Sequence, residues 1–221
     1  MHVLVNAAMS ADGKLSSSRR EQLAISGPED FERVDRVRAS SDAIAVGVGT
    51  VLADDPSLTV KDPALRDERL SRGEPAQPAR VVADSRARTP TDAAVLDDAA
   101  ETYVLVSEAA PADRRAALAD RDATLITAGE DRVDLLRAFA ALQDAGPETV
   151  MVEGGGELIF SLFGCGLVDE LSVFVGPTVI GGRGAPTLAD GEGFVDAFPE
   201  LALVDVERMD DGVLIRWRVD A

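Results

Sequence analysis

The sequence predicts an α/β protein with a mostly parallel central sheet, helices on both faces and a C-terminal antiparallel hairpin. Two observations indicate the parallel sheet. Short apolar runs alternate with segments of helical periodicity, and a glycine turn joins strand to helix at residues 43–52 and again at residues 149–163. The hairpin is predicted by Asp210-Asp211-Gly212 between two β-rich segments. We expect a single domain over residues 1–221.

The elements follow in order along the chain. Ser26 or Gly27 can cap a helix that runs to about Ala39, because Pro28 suits a first turn and acidic residues follow it. Residues 62–78 are charged and contain three prolines, so we interpret them as a surface loop. The other segments have plain apolar patterns: strands at residues 3–9, 43–46, 79–83, 103–106, 124–127, 149–152, 171–175, 201–208 and 213–219, and helices at 111–119 and 133–142.

Large apolar side chains at helical spacing give the expected core. Phe31, Val34 and Val37 share one face of the first helix. In the helix at residues 133–142, Leu135, Leu136, Phe139 and Leu142 are expected to point inward. Phe31, Phe139, Phe160 and Phe163 are expected to be core residues.

Composition excludes several classes of function. The net charge is −18, and the acidic residues are spread along the chain. This pattern is typical of folded proteins that work in concentrated salt. Repulsion between charges is screened there, because the Debye length is only about 3 Å at an ionic strength near 1 M. A nucleic-acid partner is not expected, because it needs a basic surface. Cys165 and His2 are the only residues of their kinds, which excludes intramolecular disulfides, thiolate metal clusters and histidine-based triads. We therefore expect no metal site.

The sequence also predicts the compartment. No apolar run approaches the ~18 residues of a membrane helix, and the first residues lack the basic region of a signal peptide. With a single cysteine, these features favour a cytoplasmic protein without a membrane partner.

The glycine turn at Gly154-Gly155-Gly156 is the clearest candidate for a ligand site. A strand, a tight glycine turn and a helix together aim backbone N–H groups at an anion. Glu153 precedes the glycines at the carboxyl end of the strand, where open α/β sheets bind ligands. The turn predicts either a phosphate or nucleotide cradle beside a carboxylate, or an ordinary turn that binds nothing.

Two further segments could belong to a nucleotide site. Gly47-Val48-Gly49 begins like a dinucleotide fingerprint, but Leu52 stands where the third glycine belongs. Ser85-Arg86-Ala87-Arg88 follows a strand end and is either a site for the 2′-phosphate of NADP or an ordinary basic loop. The glycine-rich loop at residues 176–186 is long enough to be functional.

Several motifs, in chain order, resemble the riboflavin-biosynthesis pyrimidine reductases. The most specific is the run from Thr50 to Val60, which reads Thr-Val-Leu-x-Asp-Asp-Pro-x-Leu-Thr-Val. The others are residues 8–14, 82–85, 153–156, 166–171, 177–186 and 190–194. The resemblance covers essentially the whole chain.

The resemblance implies a dihydrofolate-reductase-like fold, a homodimer and NADPH as hydride donor. The chain has no Cys-x-x-Cys or His-x-Glu motif of a zinc deaminase. It therefore resembles the stand-alone archaeal and fungal reductases, in which reduction precedes deamination. The implied substrate is a small phosphorylated pyrimidine, 2,5-diamino-6-(ribosylamino)-4(3H)-pyrimidinone 5′-phosphate, whose ribose is reduced to a ribityl chain. An archaeal source also fits the acidic composition.

The resemblance also implies roles for individual residues. The motif positions that hold NADPH are Ala8, Thr50, Asp54, Ser85, Gly155, Gly156, Glu157, Leu158 and Ser161. Those that hold the substrate are Ser26, Arg38, Ser57, Lys61 and Glu153. Arg38 and Lys61 would supply the local positive charge that a phosphate needs on an acidic protein. Asp12 and Glu153 are the catalytic candidates; the proton donor is Asp12, Glu153, Lys61 or ordered water.

Three alternatives remain. The chain could reduce the deaminated uracil form of the substrate, or it could be another dihydrofolate-reductase-like enzyme, including dihydrofolate reductase itself. A third reading is a nucleotide sensor that binds NADPH without turnover. Arg38 and Lys61 argue for a phosphorylated substrate, which dihydrofolate is not.

Overall fold

The computed structural model of the chain describes residues 1–20 and 23–220. The chain forms two compact units. The first comprises Asp35–Met151 with Met1, and the second comprises His2–Val34 and the chain from Val152 onward. Sequence analysis predicted one domain over residues 1–221, and this remains a prediction.

The first unit is built on four parallel strands. They are β2 (Ala43–Gly47), β3 (Ala79–Ala83), β4 (Thr102–Val106) and β5 (Thr124–Thr127), with the order β5-β4-β3-β2. Parallel pairing in register joins each neighbouring pair, for example Gly47 with Ala83. Helices α2 (Val48–Asp54) and α3 (Pro63–Ser71) lie between β2 and β3, α4 (Ala112–Ala119) lies between β4 and β5, and α5 (Leu135–Asp144) follows β5. Aliphatic residues of β2, β3 and β4 form the core of this unit, with side chains of α2 and α4.

The second unit combines parallel and antiparallel strands. Strand β1 (His2–Ser10) pairs in parallel with β7 (Glu170–Gly176), and β7 pairs antiparallel with β9 (Gly212–Val219). Strands β8 (Leu201–Met209) and β9 form the predicted hairpin. Helix α6 (Gly156–Gly164) belongs to this unit, whereas α1 (Pro28–Ser40) and β6 (Thr149–Gly154) each contribute residues to both units. The predicted α/β fold with a C-terminal hairpin is therefore confirmed.

The prediction of a surface loop at residues 62–78 is wrong, because helix α3 (Pro63–Ser71) lies there. Asp62 caps the helix by accepting a hydrogen bond of 2.8 Å from the Ala64 N–H, and Pro63 occupies the first turn. Arg69 is fully buried and donates to the carbonyl oxygens of Ala39, Ser41 and Pro75 at 2.8–2.9 Å. The helix is thus held by one buried guanidinium rather than by an apolar face.

Two predicted core positions are also wrong. Phe31 on α1 is 60% exposed, and Leu136 on α5 is 55% exposed. On α1 the most buried residues are instead charged, namely Asp30, Arg33 and Asp35, with Ala39. On α5 the inward face consists of Leu135, Ala138, Phe139 and Leu142. Phe139 is buried as predicted, and Phe160 and Phe163 are half-buried. Across the described parts of the chain, no helix has the length and apolar character needed to cross a membrane.

Candidate active site

Three of the predicted substrate residues meet in the first unit around Thr59. The Lys61 Nζ atom donates to the hydroxyls of Ser57 at 2.6 Å and Thr59 at 2.8 Å, and these two hydroxyls lie 3.1 Å apart. Arg38 Nη1 donates to the Thr59 carbonyl at 3.0 Å. One ammonium, one guanidinium and two hydroxyls therefore form a cationic cluster suited to a phosphate. We call Arg38, Ser57, Thr59 and Lys61 the cationic cluster.

The backbone around this cluster is fixed by buried polar groups. The Asp35 carboxylate, on α1, accepts from the N–H groups of Lys61 at 2.8 Å and Asp62 at 2.7 Å. The Gln77 side chain brackets Val60, with a bond of 2.7 Å to its N–H and one of 3.0 Å to its carbonyl. The extended segment is therefore held to α1, which also carries Arg38. Sequence reasoning did not single out Thr59 as a site residue, although its hydroxyl lies within the Thr50–Val60 motif.

The predicted cofactor residues of the first unit follow β2 and β3. Thr50 lies in the first turn of α2, whose N-cap Gly47 provides no side-chain cap, and Asp54 ends this helix. Gly47 pairs with Ala83, so Thr50 and Ser85 leave the sheet at the same edge. Partial exclusion of water by the surrounding protein raises the pKa of the Asp54 carboxyl, although the residue as a whole is exposed.

The segment after β3 has protein partners of its own. The Ser85 hydroxyl accepts a bond of 3.0 Å from the Val133 N–H. Arg86 donates to the Ala109 carbonyl at 3.0 Å, and the Arg88 guanidinium lies 4.0 Å from the buried carboxylate of Asp84. Arg86 thus has a hydrogen bond within the protein, whereas Arg88 has only a distant ion pair among the described residues, and both side chains are more than half exposed.

In the second unit, the glycine turn leads directly into α6. Strand β6 ends at Gly154, and α6 begins at Gly156 with Gly155 as N-cap and no side-chain cap. A Cβ atom on Gly156 would lie 2.4 Å from the Thr187 carbonyl oxygen and 3.0 Å from the Asp190 carboxylate, so only glycine fits. Glu153 is half-buried at the carboxyl end of β6. Strand, glycine turn and helix therefore follow one another as the sequence predicted, with Glu153 directly before the glycines.

The predicted residues on α6 differ in what they can offer a ligand. Glu157 is exposed, and Leu158 is buried with 8% of its surface accessible. The Ser161 hydroxyl donates to the Glu157 carbonyl at 2.7 Å. Gly155, Gly156 and Leu158 can therefore contact a ligand only through the backbone.

Asp12 anchors the glycine-rich loop at residues 176–186. Its carboxylate accepts from the Ser10 hydroxyl at 2.6 Å, the Ile180 N–H at 2.9 Å and the Gly181 N–H at 2.7 Å. These donors, with the Ser10 hydroxyl as the largest cause, lower the pKa of Asp12 from its ordinary value of 3.8 to about 2. Lys14 also holds the loop, because its Nζ atom donates to the Ala185 carbonyl at 3.3 Å. The arrangement suits a loop anchor better than a proton donor.

Ser26 and Ala8 lie elsewhere in the second unit. Ser26 lines a cavity of about 310 Å³ between the segment before α1 and the β8–β9 turn. Ala8 is half-buried on β1, paired with Phe174, and packs against the cluster that contains Ile25 and Phe174. The structure thus brings Arg38, Ser57 and Lys61 together, while Asp12 and Ser26 each belong to a separate hydrogen-bond network of the second unit.

Comparison with known proteins assigns the family. The RibD C-terminal domain model matches residues 1–215. The chain is 46% identical over 217 residues to the 2,5-diamino-6-ribosylamino-4(3H)-pyrimidinone 5′-phosphate reductase of Archaeoglobus fulgidus, covering 98% of this chain and 97% of that protein. The Methanothermobacter thermautotrophicus protein of the same name is 44% identical over 94% of this chain and 91% of its own length.

Solved structures agree on the fold. A pyrimidine reductase-like protein from Corynebacterium diphtheriae superposes with a TM-score of 0.80 at 19% identity, covering 100% of this chain and 92% of that one. Dihydrofolate reductase from Enterococcus faecalis superposes with a TM-score of 0.54 at 10% identity, covering 100% and 97%. The expected dihydrofolate-reductase-like fold is therefore confirmed, and the chain belongs to the RibD C-terminal domain family.

Proposed function

We propose that this protein reduces the ribose of 2,5-diamino-6-(ribosylamino)-4(3H)-pyrimidinone 5′-phosphate to the ribitylamino product in riboflavin biosynthesis. The observation that carries the proposal is the 46% identity to a reductase of that name, which extends over nearly the full length of both chains. Similarity over the whole length matters, because it includes every segment from which predicted site residues come.

The cationic cluster is the proposed site of the substrate 5′-phosphate. Its Lys61 ammonium and two hydroxyls lie within hydrogen-bond distance of one another, and the Arg38 guanidinium donates to the backbone carbonyl of the same Thr59. On a protein of net charge −18, such a concentration of cationic groups creates a local potential that attracts a phosphate dianion. Arg38 can bind two oxygens at once, whereas Lys61 acts as a point charge.

NADPH is the proposed cofactor, and it would supply the hydride that reduces the sugar carbon. The residues proposed to hold it are those that the family resemblance implies, namely Ala8, Thr50, Asp54, Ser85 and the α6 turn. One observation fits this assignment: α6 starts without a side-chain cap. Free N–H groups at a helix start suit the pyrophosphate of a dinucleotide.

Reduction also requires a proton on the heteroatom of the sugar, and we propose that Glu153 supplies or relays it. Glu153 ends β6 and is half-buried, directly before the glycine turn. The alternatives are less suitable. The pKa of Asp12 is lowered to about 2, so its carboxylate carries no proton at neutral pH, and Lys61 belongs to the cationic cluster. Asp12 is proposed to act indirectly, by holding the loop at residues 176–186.

We further propose that the protein is a homodimer that forms through β8. This strand lies at the edge of the sheet and exposes Leu201, Leu203, Val204 and Val206. An edge strand with exposed aliphatic side chains is a template for pairing with another chain. Antiparallel pairing of two β8 strands around a two-fold axis would cover both edges at once.

The test is NADPH oxidation, followed by absorbance in concentrated KCl, with the diamino substrate and its deaminated uracil form measured in parallel. Turnover of the diamino form with preference over the uracil form is the expected result. Preference for the uracil form would move the enzyme to a step after deamination. No oxidation with either compound, by folded protein that binds NADPH, would overturn the proposed function and favour a sensor.

A further inference from the structure

A buried carboxylate lies beside the cationic cluster, within the first unit. Asp35 on α1 has 9% of its surface accessible, and its two oxygens accept from the Lys61 N–H at 2.8 and 2.9 Å. The Oδ2 atom also accepts from the Asp62 N–H at 2.7 Å. On charge alone, an acid bonded to the backbone of Lys61 would repel a phosphate held by the Lys61 ammonium. The charge of Asp35 therefore does not explain its position.

The segment that Asp35 holds is not part of the sheet. Residues 55–62, all of which the structure describes, belong to no helix or strand. Helix α1 pairs with this segment instead, because Arg38 donates to the Thr59 carbonyl at 3.0 Å and Asp35 accepts from the Lys61 N–H two residues further on. Asp35 and Arg38 are three residues apart and so share a face of the helix. Alternate residues of an extended chain turn their backbone groups to the same side, so α1 holds one edge of the segment.

Gln77 holds the other edge. Its side-chain oxygen accepts from the Val60 N–H at 2.7 Å, and its amide nitrogen donates to the Val60 carbonyl at 3.0 Å. The Val60 side chain is buried, with 1% of the residue accessible. Because side chains of an extended chain alternate between two faces, those of Thr59 and Lys61 share the face opposite Val60. The bond of 2.8 Å between the Lys61 Nζ atom and the Thr59 hydroxyl agrees with this arrangement.

The chain just before Thr59 is constrained as well. Asp55 and Leu58 have left-handed backbone conformations, with φ of 42° and 47°, which are strained for residues other than glycine. Leu58 is buried in the core of the unit, and the Asp55 carboxylate accepts from the Ala94 N–H at 2.8 Å. Ser57 lies between these two residues, and its hydroxyl is 3.1 Å from that of Thr59. The surroundings, rather than local backbone preference, therefore set the course of the segment.

We propose that Asp35 is a positioning residue for the substrate phosphate. It bonds to the backbone of Lys61 and Asp62 rather than to the ligand, and it keeps the Thr59 hydroxyl and the Lys61 ammonium on one face of the segment beside Arg38. The inference rests on the proposed function, because it takes the cationic cluster as the phosphate site. Loss of the bonds to Asp35 would let the segment move away from α1, so that Lys61 and Arg38 would no longer be held together.

The variant Asp35→Asn separates positioning from charge, because the two effects have opposite signs. An amide has one acceptor oxygen, and its NH₂ would face a backbone N–H, so at least one bond to Lys61 or Asp62 is lost. The KM of the phosphorylated substrate should rise about 5-fold or more, while kcat and the KM of the 5′-dephosphorylated substrate stay within about twofold. If charge were the main effect of Asp35, the KM of the phosphorylated substrate would fall, because a repulsive carboxylate is removed.

Gln77→Leu is a second test variant, because it removes both bonds to Val60 without changing any charge. It should also raise the KM of the phosphorylated substrate, and it tests the inference even if Asp35→Asn folds poorly. Asp67→Asn is the matched control, since Asp67 is an exposed aspartate on α3 in the same unit. The same change of charge at that position should leave the KM within about twofold of the wild type.

Binding of inorganic phosphate, measured by calorimetry, gives a readout that does not depend on turnover. The Kd of phosphate should rise about 5-fold in Asp35→Asn and stay unchanged in Asp67→Asn. The inference is overturned if KM and Kd fall or keep their wild-type values in Asp35→Asn, or if the phosphorylated and dephosphorylated substrates lose kcat/KM equally. Absence of turnover by the wild type would contradict the proposed function, whereas the Kd values would still decide the role of Asp35.

Discussion

The Oδ2 atom of Asp12 accepts a hydrogen bond of 2.7 Å from the backbone N–H of Gly181. With the bonds from Ser10 and Ile180, it ties the turn after β1 to the glycine-rich loop. Because the folded-state pKa is depressed to about 2, the stability that this carboxylate contributes is present above its ordinary pKa of 3.8. That stability is lost only as the pH falls through about 2, so Asp12 stays ionised throughout the neutral range.

The first prediction follows from this relationship. Asp12→Asn should lower kcat severalfold because the loop is held less tightly, and the pH dependence of kcat should keep its shape. Hydrogen exchange of residues 176–186 should become faster. The control is Asp196→Asn, because Asp196 is an exposed aspartate of the same unit, and this variant should leave the exchange unchanged. If the substitution instead removed one limb of the pH profile, Asp12 would be the general acid after all.

The second prediction concerns the phosphate. Arg38→Ala and Lys61→Gln should each raise the KM of the phosphorylated substrate about 10-fold or more, since each removes a charge-assisted contact of about 1.5–3 kcal/mol. Affinity for NADPH should barely change. Steady-state kinetics with the 5′-dephosphorylated substrate gives the internal control, because its KM should not respond to either substitution.

Arg36→Ala provides a matched variant, because Arg36 is an exposed arginine on the same helix. It should leave the KM of the phosphorylated substrate close to that of the wild type. A large loss of NADPH binding in Arg38→Ala would instead show that Arg38 belongs to the cofactor.

The third prediction concerns stability. Arg69→Met should lower the free energy of unfolding by about 3 kcal/mol or more, because three carbonyl groups and Glu74 lose a buried cationic partner. Urea denaturation measures the effect. Arg66→Met, a half-buried position on the same helix, should change it by about 0.5 kcal/mol or less. Equal effects of the two substitutions would show that the buried guanidinium is not what holds α3.

Arg69 also explains what the sequence could and could not reveal. The strands, the glycine turns and the hairpin were predictable, because apolar runs and turn residues act locally. Helix α3 was missed although Asp62 and Pro63 form a recognisable helix start, because the charged residues after them gave no apolar face. What holds this helix is a set of carbonyl groups distant in sequence, which no local pattern records.

The same limit applies to α1 and to the candidate site. Phe31 was expected in the core because it shares a spacing with Val34, but the buried side of α1 carries Asp30 and Arg33. The partners of Arg33 include Asn6 on β1 and Ser172 on β7. The family resemblance pointed to Ser26 as a substrate residue. It could not show that the Ser26 hydroxyl donates to the buried Asp30, whose other oxygen accepts from Arg33, because these partners form no local sequence pattern.

The fourth prediction concerns the α6 turn. Gly156→Ala should weaken NADPH binding severalfold and lower stability by about 1–3 kcal/mol, because the new methyl group would overlap the Thr187 carbonyl. Fluorescence titration and thermal unfolding measure the two effects. Gly164→Ala, at the other end of the helix, is the control, since its Cβ would meet no atom closer than 3.8 Å. Unchanged cofactor affinity in Gly156→Ala would remove the turn from the cofactor site.

The last prediction concerns assembly through β8. Leu203→Asp should convert the protein to a monomer in light-scattering measurements, because it places a charge among the exposed aliphatic residues of an edge strand. Leu136→Asp is the matched control, because Leu136 on α5 is exposed to a similar extent as Leu203, 55% against 61%. It should leave the protein dimeric. A dimer that survived Leu203→Asp but dissociated in Leu136→Asp would place the interface on the first unit. A wild type that is monomeric at every salt concentration would contradict the proposed dimer outright. The aliphatic side chains of β8 would then be exposed to water in the functional protein.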